Sequence, residues 1–511
     1  MSGVDRRTVL GGAAALIAAP AITRAQEVER RWEGTRENIV HSFKGIRYGT
    51  AQRFLAPQPF LPAETVYATQ FGPSCPQPGT RYLPTGEDCL YLNIWTVEPD
   101  PRVRKPVMVY FHGGGYATGS VTDPLTDGSY LASRGDVVVV TVNHRLNAFG
   151  YLYLARLADK FPDSGNLGQL DLILALQWVR DHIAGFGGDP DKVMVFGQSG
   201  GGAKIATLMG MPGARGLFHR AATMSGQQVT VSGPLHATQR ARAFLAKLKV
   251  KEGDLSPLLA LPPEKLVEGL AANDPFMPGG VHMGPVLDMK SLDRHPFWPD
   301  AHPLGNKIPL MLGNTRQETG AFIDPDGTKL KDLNWNNLAA RLADELRVDI
   351  LPEWVVDQYQ RAFPNWTPAR ILYDASTAAR SWRGQIIEAE ARADADAAAW
   401  VYQLDFTSRA DPRRGAFQSL DIPLVFGTLD AQGSQTGTGG DALAVARAMQ
   451  ESFVAFATNG DPANPSVPKW PKYERKTRAT MIFDTLSRVE NDPRRWQREL
   501  FARVPYTQSG S

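Results

Sequence analysis

The chain has 511 residues, of which 43% are hydrophobic and 21% charged, with 55 Lys and Arg against 53 Asp and Glu. This is the composition of an ordinary globular protein, and a net charge of +2 gives no basis for binding nucleic acid or an anionic membrane surface. The 48 glycines and 38 prolines suit a loop-rich protein and fall short of a disordered composition.

The first 26 residues differ from the rest of the chain. Two adjacent arginines precede an apolar stretch from Val9 to Ile22, and small residues, Thr23 and Ala25, stand at the two positions that a signal peptidase reads. The stretch is too short to span a bilayer, so residues 1–26 are predicted to be a cleavable export signal. The arginine pair favours twin-arginine export of a bacterial protein to the periplasm or the medium. Asp5 stands where a twin-arginine signal usually has Ser or Thr, so export by the Sec route is the alternative.

The chain has two cysteines, Cys75 and Cys89. Export to an oxidising compartment favours a disulfide between them, and the Gly, Pro and Thr residues that separate them suit a loop that folds back. Two buried free thiols are the alternative, because spacing alone does not establish a bridge.

Residues 27–511 are interpreted as a single domain, in which short apolar segments alternate with helical patterns. An apolar run without polar alternation predicts a strand that is buried on both faces of a parallel sheet. Such strands are predicted at Val107–Phe111, Val137–Val142, Val193–Phe196, Ile308–Leu312 and Ala399–Leu404. Helical spacing of apolar residues predicts helices over Leu170–Ile183 and Gly200–Met209.

This order of strand, helix and strand predicts an α/β fold, with a central, mostly parallel, twisted sheet flanked by helices. Residues 227–300 and 320–398 have a helical, polar-punctuated pattern, and we expect them to form a lid over one end of the sheet. The Gly, Ser and Thr residues of segment 431–440 predict a flexible surface loop.

A candidate nucleophile follows one of the predicted strands directly. Gly197-Gln-Ser-Gly-Gly201 matches the pattern G-x-S-x-G between a strand and a helix. In that context the serine occupies a tight, strained turn, and glycines are needed on both sides because side chains there would collide. We therefore predict that Ser199 is a nucleophile, with the N-terminus of the following helix behind it.

A candidate oxyanion hole follows the Val107–Phe111 strand. The run His112-Gly-Gly-Gly115 leaves backbone N–H groups uncovered after a strand, and acyl transfer needs such donors about 3 Å from the developing oxyanion. Together with Ser199 the run indicates acyl chemistry rather than a merely flexible loop.

With these motifs the chain resembles the type-B carboxylesterase and cholinesterase family. Further segments of the resemblance occur in order, namely Glu87-Asp-Cys-Leu-Tyr-Leu-Asn93, Asn143-His-Arg-Leu146, Phe186-Gly-Gly-Asp-Pro190 and Gly313-Asn-Thr-Arg-Gln-Glu318. It extends from about residue 30 to residue 505 and implies the α/β-hydrolase fold. It also implies an oxyanion hole from the N–H groups of Gly114, Gly115 and Gly200, a disulfide between Cys75 and Cys89, and an ion pair between Glu87 and Arg145.

The resemblance also implies the catalytic acid. Glu318 follows the Ile308–Leu312 strand at the family's acid position, and in this fold the order along the chain is serine, acid and histidine. The role of such an acid is to hold the histidine tautomer and to stabilise the imidazolium.

The catalytic histidine of the family is missing. Its position in the segment Gly415-Ala-Phe-Gln-Ser419 falls on Gln418, and all nine histidines lie upstream of Glu318. A primary amide can accept a hydrogen bond from a serine hydroxyl but cannot take its proton at neutral pH. In a serine protease the loss of the histidine costs about a million-fold in kcat, roughly 8 kcal/mol.

Three interpretations follow. The chain is a carboxylesterase whose base comes from elsewhere, with His282 as a weak candidate. Alternatively, it is a catalytically impaired hydrolase-fold protein that binds a ligand or partner. In the third interpretation, Ser199 and the oxyanion hole perform slower or different acyl chemistry with substrate or water as base, and an acyltransferase would share the same acyl-enzyme step. Because the serine, the oxyanion glycines and the acid are all present, ester hydrolysis is the preferred interpretation.

No cofactor is predicted. The histidines are scattered, the two cysteines are better explained as a pair, and the triple glycine lacks the acidic residue of a dinucleotide site, so neither a metal nor a nucleotide is expected. The expected partner is a small-molecule ester, without nucleic acid or stable membrane insertion, and no feature of the sequence determines the oligomeric state. Gln198 is neutral where cholinesterases carry a carboxylate, which argues against a cationic choline ester.

Overall fold

The computed structural model describes residues 32–508 and residue 510. The predicted export signal, residues 1–26, lies outside the described residues. Among the residues that are described, no helix is long and apolar enough to cross a membrane.

Eleven strands form one large sheet. In chain order they are β1 (Thr35–Glu37), β2 (Val40–Arg47), β3 (Tyr91–Thr96), β4 (Lys105–Phe111), β5 (Val138–Val142), β6 (Gly188–Gln198), β7 (Arg220–Met224), β8 (Leu310–Thr315), β9 (Ala399–Leu404), β10 (Ala479–Phe483) and β11 (Arg488–Asn491). The spatial order is β1-β2-β3-β5-β4-β6-β7-β8-β9-β10-β11. In this spatial order, the neighbouring strands β5, β4, β6, β7, β8, β9 and β10 run parallel to one another. The strands at both edges, β1 to β3 on one side and β11 on the other, pair antiparallel.

Both faces of the sheet are covered, which explains the continuously apolar strands. Along β4, Val107, Val109 and Phe111 belong to the core on one face, whereas Met108 and Tyr110 belong to the core on the other. Successive side chains of a strand point to opposite faces, so a strand covered on both sides must be apolar at every position. The predicted mostly parallel sheet is confirmed.

Fourteen α-helices occur in the described part of the chain. They are α1 (Ser129–Gly135), α2 (Asn147–Tyr151), α3 (Leu167–His182), α4 (Gly200–Leu208), α5 (Pro234–Lys247), α6 (Ser256–Ala260), α7 (Pro263–Gly269), α8 (Leu338–Ala343), α9 (Pro352–Ala362), α10 (Pro368–Thr377), α11 (Arg383–Asp394), α12 (Asp421–Phe426), α13 (Gly440–Asn459) and α14 (Arg495–Phe501). Residues of α3 and α4 pack into the core on one face of the sheet, and residues of α12 and α13 pack into the core on the other.

The two predicted insertions differ in helix content. Helices α8 to α11 occupy about half of residues 320–398 and share a separate apolar core with α14. In the other insertion only α5, α6 and α7 form, and residues 270–300 contain no helix. That part of the prediction is wrong because prolines and glycines recur through the segment and interrupt helical hydrogen bonding.

Candidate active site

Four neighbouring strands end beside one another, and each is followed by a residue of the candidate site. Strands β6, β7, β8 and β9 are adjacent and parallel, so their carboxyl ends lie at the same edge of the sheet. Ser199 follows β6, Ser225 follows β7, and Glu318 and Gln418 lie in the segments after β8 and β9. The structure therefore brings the predicted nucleophile, the predicted acid and the position of the missing base to one edge.

Ser199 occupies a strained turn between β6 and α4. Its φ of 53° and ψ of −122° lie outside the regions that L-residues ordinarily adopt. Its backbone N–H donates to the carbonyl oxygen of Met224 at 2.7 Å, which ties the turn to the neighbouring strand. The side chain is half-buried, and its hydroxyl forms no hydrogen bond within the described chain. The predicted strand–turn–helix setting of this serine is present.

The glycines around Ser199 are required by close backbone approach. A Cβ on Gly201 would lie 1.9 Å from the carbonyl oxygen of Phe111, and one on Gly197 would lie 2.7 Å from the carbonyl carbon of Gly201. A Cβ on Gly200 would lie 2.0 Å from the carbonyl oxygen of Gly115. No side chain fits at these distances, so the glycine run places the nucleophile helix directly against the loop that follows β4.

The loop after β4 carries backbone N–H groups that have no hydrogen-bond acceptor among the described residues. Gly114 and Gly115 have φ values of 83° and 61°, which favour glycine, and both are exposed. Within the described residues, no group accepts a hydrogen bond from the backbone N–H of Gly114, Gly115 or Gly200. Three N–H donors are therefore uncommitted in the segments that meet at Ser199.

Glu318 is fully buried at the start of a short 3₁₀ helix after β8. Its Oε1 accepts hydrogen bonds from the hydroxyl of Ser225 at 2.6 Å, the backbone N–H of Thr315 at 2.7 Å and the side chain of Asn314 at 2.9 Å. Its Oε2 is buried and has no partner among the described residues. Burial raises the pKa of the Glu318 carboxyl above its ordinary value, although the hydrogen bonds to Oε1 oppose this.

Gln418 lies beside Glu318. Its backbone N–H donates to the carbonyl oxygen of Glu318 at 3.3 Å, and its Nε2 donates to the carbonyl oxygen of Ser225 at 3.4 Å. The side chain is 8% exposed. In the described chain no hydrogen bond connects it with Ser199 or with the carboxylate of Glu318. The backbone of Gln418 is thus held against that of Glu318, whereas its amide forms no hydrogen-bonded link between the acid and the nucleophile in the described chain.

The histidines are the side chains whose ordinary pKa best suits the role of the missing base. All nine histidines lie among the described residues, and none forms a hydrogen bond with Ser199 there. His282, the weak candidate, packs beside Gly284 and Gly510, and its backbone N–H donates to Asp274. Burial and the nearby Arg240 lower the pKa of His282 to about 4, so its ring would be a poor base.

Several contacts at the site involve residues that the sequence did not single out. Ser225 and Asn314 hold Oε1 of Glu318. Lys204, on α4, donates from its buried Nζ to the carbonyl oxygens of His112 and Gly115. For Lys204 the sequence does offer an indication, because a lysine stands within a mostly apolar helix.

The ion pair predicted between Glu87 and Arg145 is wrong. Arg145 is buried and pairs with Asp171, its Nε and Nη2 contacting the two carboxylate oxygens at 2.9 and 2.6 Å. Glu87 pairs instead with Arg53. The fully buried Asp171 on α3 also accepts a hydrogen bond from the backbone N–H of Arg145. Asp171 is thus the acceptor for both the main chain and the side chain of this arginine.

The predicted disulfide is not formed in the structure. Cys75 and Cys89 are free thiols, both buried. A hydrogen bond with Cys75, together with burial, raises the pKa of Cys89 well above its ordinary value. The side chains are thus neighbours, as the resemblance implies, and the covalent bond stays a prediction. Among the described residues, no group of three His, Cys, Asp or Glu side chains could hold a metal ion.

Comparison with known proteins gives matches along nearly the whole chain. The model of the carboxylesterase family matches residues 28–500. The para-nitrobenzyl esterase of Bacillus subtilis (strain 168) is 36% identical over 487 residues, which cover 91% of this chain and 96% of the relative. The fumonisin B1 esterase of Sphingopyxis macrogoltabida is 30% identical over 516 residues, which cover 92% of this chain and 88% of the relative.

The fold is similar to that of solved esterases. The Geobacillus stearothermophilus carboxylesterase EST55 superposes with a TM-score of 0.81 at 33% identity, over 92% of this chain and 98% of that chain. A structure titled PNB esterase gives a TM-score of 0.77 at 35% identity, over 92% and 97% of the two chains. These likenesses confirm the α/β-hydrolase fold.

Proposed function

Because the chain belongs to the carboxylesterase family, we propose that it cleaves small carboxylic esters through an acyl-enzyme on Ser199, with turnover limited by Gln418 in the position of the base. The observation that carries the proposal is the strained Ser199 turn, which meets a loop whose N–H donors are uncommitted. A turn strained in this way persists only where the surrounding structure enforces it, and such strain clusters at functional sites.

The first half of the reaction forms the acyl-enzyme. Oγ of Ser199 attacks the ester carbonyl, and the N–H groups of Gly114, Gly115 and Gly200 stabilise the negative charge that develops on its oxygen. The bond to the alcohol oxygen then breaks. The hydroxyl proton of Ser199 must leave during attack and reach the departing alcohol, and the amide of Gln418 has no site that takes it.

Water or the substrate itself therefore serves as proton acceptor in our proposal. In the second half, water attacks the acyl-enzyme, a carboxylic acid leaves, and Ser199 recovers its proton. An alcohol that attacks in place of water gives acyl transfer instead of hydrolysis. In a serine protease that lacks a triad member, the oxyanion hole and binding still give roughly 10³–10⁴-fold over water. A rate of that order is what the present site supports.

A second candidate is ligand binding without turnover. The observation that favours it is the lack of any hydrogen bond, in the described chain, between Ser199 and a basic side chain. Such a protein would hold an ester, or the product acid, with its carbonyl against the loop of Gly114 and Gly115. We also propose that the protein acts outside the cytoplasm, in the periplasm or the medium, on the basis of the N-terminal export pattern.

The test is hydrolysis of p-nitrophenyl butyrate by the purified protein beside Gln418→His, Gln418→Asn and Ser199→Ala. We expect a slow parent rate that Ser199→Ala abolishes and a gain of at least a thousand-fold in Gln418→His. Gln418→Asn is the matched control, since it changes the side chain without supplying a base, and it should show no gain.

Two other outcomes would contradict the proposal in different ways. A parent rate typical of esterases, unchanged by Gln418→His, would mean that another group supplies the base. A parent rate that Ser199→Ala does not lower would remove the acyl-enzyme, and tight binding of the product acid without turnover would then support the second candidate.

A further inference from the structure

A lysine is buried directly behind the candidate oxyanion hole. Lys204 lies on α4, five residues after Ser199, and is 0% exposed. Its Nζ donates to the carbonyl oxygen of Gly115 at 2.9 Å and to that of His112 at 3.3 Å, and it lies 5.4 Å from the centre of the Tyr116 ring. Both acceptors belong to the loop that carries the uncommitted N–H groups.

No carboxylate among the described residues forms an ion pair with this lysine. Among the described residues, Lys204 forms no ion pair, and the titratable groups set against it are His112, His144 and Tyr116. Burial lowers the pKa of Lys204 to about 7. Burial and Lys204 lower the pKa of His112 to about 3 and hold that of His144 well below its ordinary value, so both rings stay neutral. An amino group buried without a counter-ion destabilises a folded protein, and such groups are found at functional sites.

The two carbonyl groups that Lys204 binds bracket the glycine run. Gly113 and Gly114 lie between the two contacts, and Gly115 makes the second contact. Because glycine has more backbone freedom than any other residue, this run needs other contacts to hold its conformation. Other hydrogen bonds hold the middle of the loop, where the carbonyl oxygen of Gly114 accepts from the backbone N–H groups of Ala117 and Thr118 at 3.2 and 3.1 Å. On the carbonyl side of Gly115, Nζ of Lys204 is the donor.

We propose that Lys204 is a positioning residue of the oxyanion hole. Its hydrogen bonds hold the carbonyl groups of His112 and Gly115. These belong to the peptide units on either side of the two that carry the N–H groups of Gly114 and Gly115, so Lys204 fixes both ends of the donor segment. When protonated, Lys204 also places a positive charge behind the oxyanion as negative charge develops there. Because Lys204 is fully buried and no carboxylate among the described residues pairs with it, the attraction is stronger than it would be in water.

The role of Lys204 deepens the esterase proposal and rests on it, so the test needs a measurement that does not depend on turnover. Lys204→Met removes the donors and the charge at similar volume, and Lys204→Gln keeps an amide donor without the charge. Lys105→Met is the matched control, because Lys105 is a buried lysine on β4 that pairs with Asp136 and does not contact the loop.

Each substitution is made in the parent and in the Gln418→His background. In that background we expect Lys204→Met to lower kcat on p-nitrophenyl butyrate at least tenfold, with KM within about twofold, because the lost interaction acts mainly in the transition state. The kcat of Lys204→Gln should lie between that of Lys204→Met and that of the enzyme with Lys204 intact. Lys105→Met should leave kcat unchanged. A merely structural role of Lys204 would change stability without this split between kcat and KM.

Amide hydrogen exchange of the peptide that contains residues 112–118 is the second measurement. Lys204→Met should speed exchange there several-fold, and Lys105→Met should not. If Ser199→Ala has the same rate as both the parent and Gln418→His, the esterase proposal fails, yet the exchange result still decides whether Lys204 holds the loop. Unchanged kcat together with unchanged exchange in Lys204→Met and Lys204→Gln would overturn the inference.

Discussion

The backbone N–H of Gln418 donates a hydrogen bond to the carbonyl oxygen of Glu318, 3.3 Å away. The loop after β9 is thereby held against the segment that carries the acid. The family resemblance places the catalytic base at position 418, and Oε2 of Glu318 has no partner among the described residues. This relationship suggests that a base could be restored from solution.

Imidazole should rescue a variant that lacks the Gln418 side chain. Gln418→Ala removes most of the amide side chain at the position of the missing base, and Oε2 of Glu318, which has no partner among the described residues, is the acceptor that we expect to orient an imidazole N–H. We expect millimolar imidazole to raise p-nitrophenyl butyrate hydrolysis by Gln418→Ala at least tenfold in a saturable way. The parent, whose Gln418 fills the space, should respond much less.

The double variant Ser199→Ala with Gln418→Ala is the control for that rescue. Imidazole also hydrolyses activated esters in solution, with a rate that rises linearly with its concentration. If the double variant shows the same imidazole dependence as Gln418→Ala, the rescue does not proceed through Ser199.

Glu318 should make stability depend on pH above the ordinary range of a glutamate. Burial raises the pKa of this carboxyl in the folded protein, whereas the unfolded value is about 4.3. Between these two pKa values the folded state binds a proton that the unfolded state does not, so the free energy of unfolding falls as pH rises. From pH 4 to pH 8, the free energy of unfolding of the parent should therefore fall relative to that of Glu318→Gln.

Urea unfolding at several pH values measures this difference. Glu252→Gln is the control, because a hydrogen bond from Arg242 lowers the pKa of Glu252, which gives the opposite sign. For that control the stability difference should not grow above pH 5. An identical pH profile for Glu318→Gln and the parent would show that Glu318 titrates as an ordinary glutamate.

A single methyl group at Gly200 should disable the oxyanion hole. Its Cβ would lie 2.0 Å from the carbonyl oxygen of Gly115 and 2.5 Å from the carbonyl carbon, so the loop has to move. We expect Gly200→Ala in the Gln418→His background to lose about 10²–10³ in kcat, the usual cost of one oxyanion donor. Gly233→Ala, at a position with open space around it, should be without effect. Equal activity of the two variants would remove Gly200 from the site.

Local sequence patterns predicted the centre of the molecule well. The apolar strands were recognisable because both faces of the sheet are covered, and the Ser199 turn was recognisable because backbone contacts exclude side chains from Gly197 and Gly201. In both cases the contact restricts the residue types in one short segment, to a run of apolar residues in the strands and to glycine on both sides of Ser199. The positions of Glu318 and Gln418 came from the family resemblance instead.

Long-range partners could not be predicted in the same way. Arg145 pairs with Asp171 rather than with Glu87, because the choice depends on how α3 packs against the loop after β5. Lys204 contacts carbonyl groups about 90 residues earlier in the chain, and backbone acceptors leave no trace in a sequence. Ser225 was missed for the same reason, since only the neighbouring strands bring it to Glu318.

The proposed export predicts a disulfide between the two cysteines, which the structure leaves as thiols. Cys75 and Cys89 are buried neighbours whose side chains hydrogen-bond, so oxidation needs no large movement of the chain. A bridge that closes a loop of this size stabilises by about 3 kcal/mol in the chain-entropy model. Protein recovered from the periplasm should therefore show a mass lower by two hydrogens, and dithiothreitol should lower its stability, whereas Cys89→Ser should be insensitive to the reductant. Two titratable thiols in denatured, exported protein kept free of reductant would contradict the disulfide without affecting the proposal for Ser199.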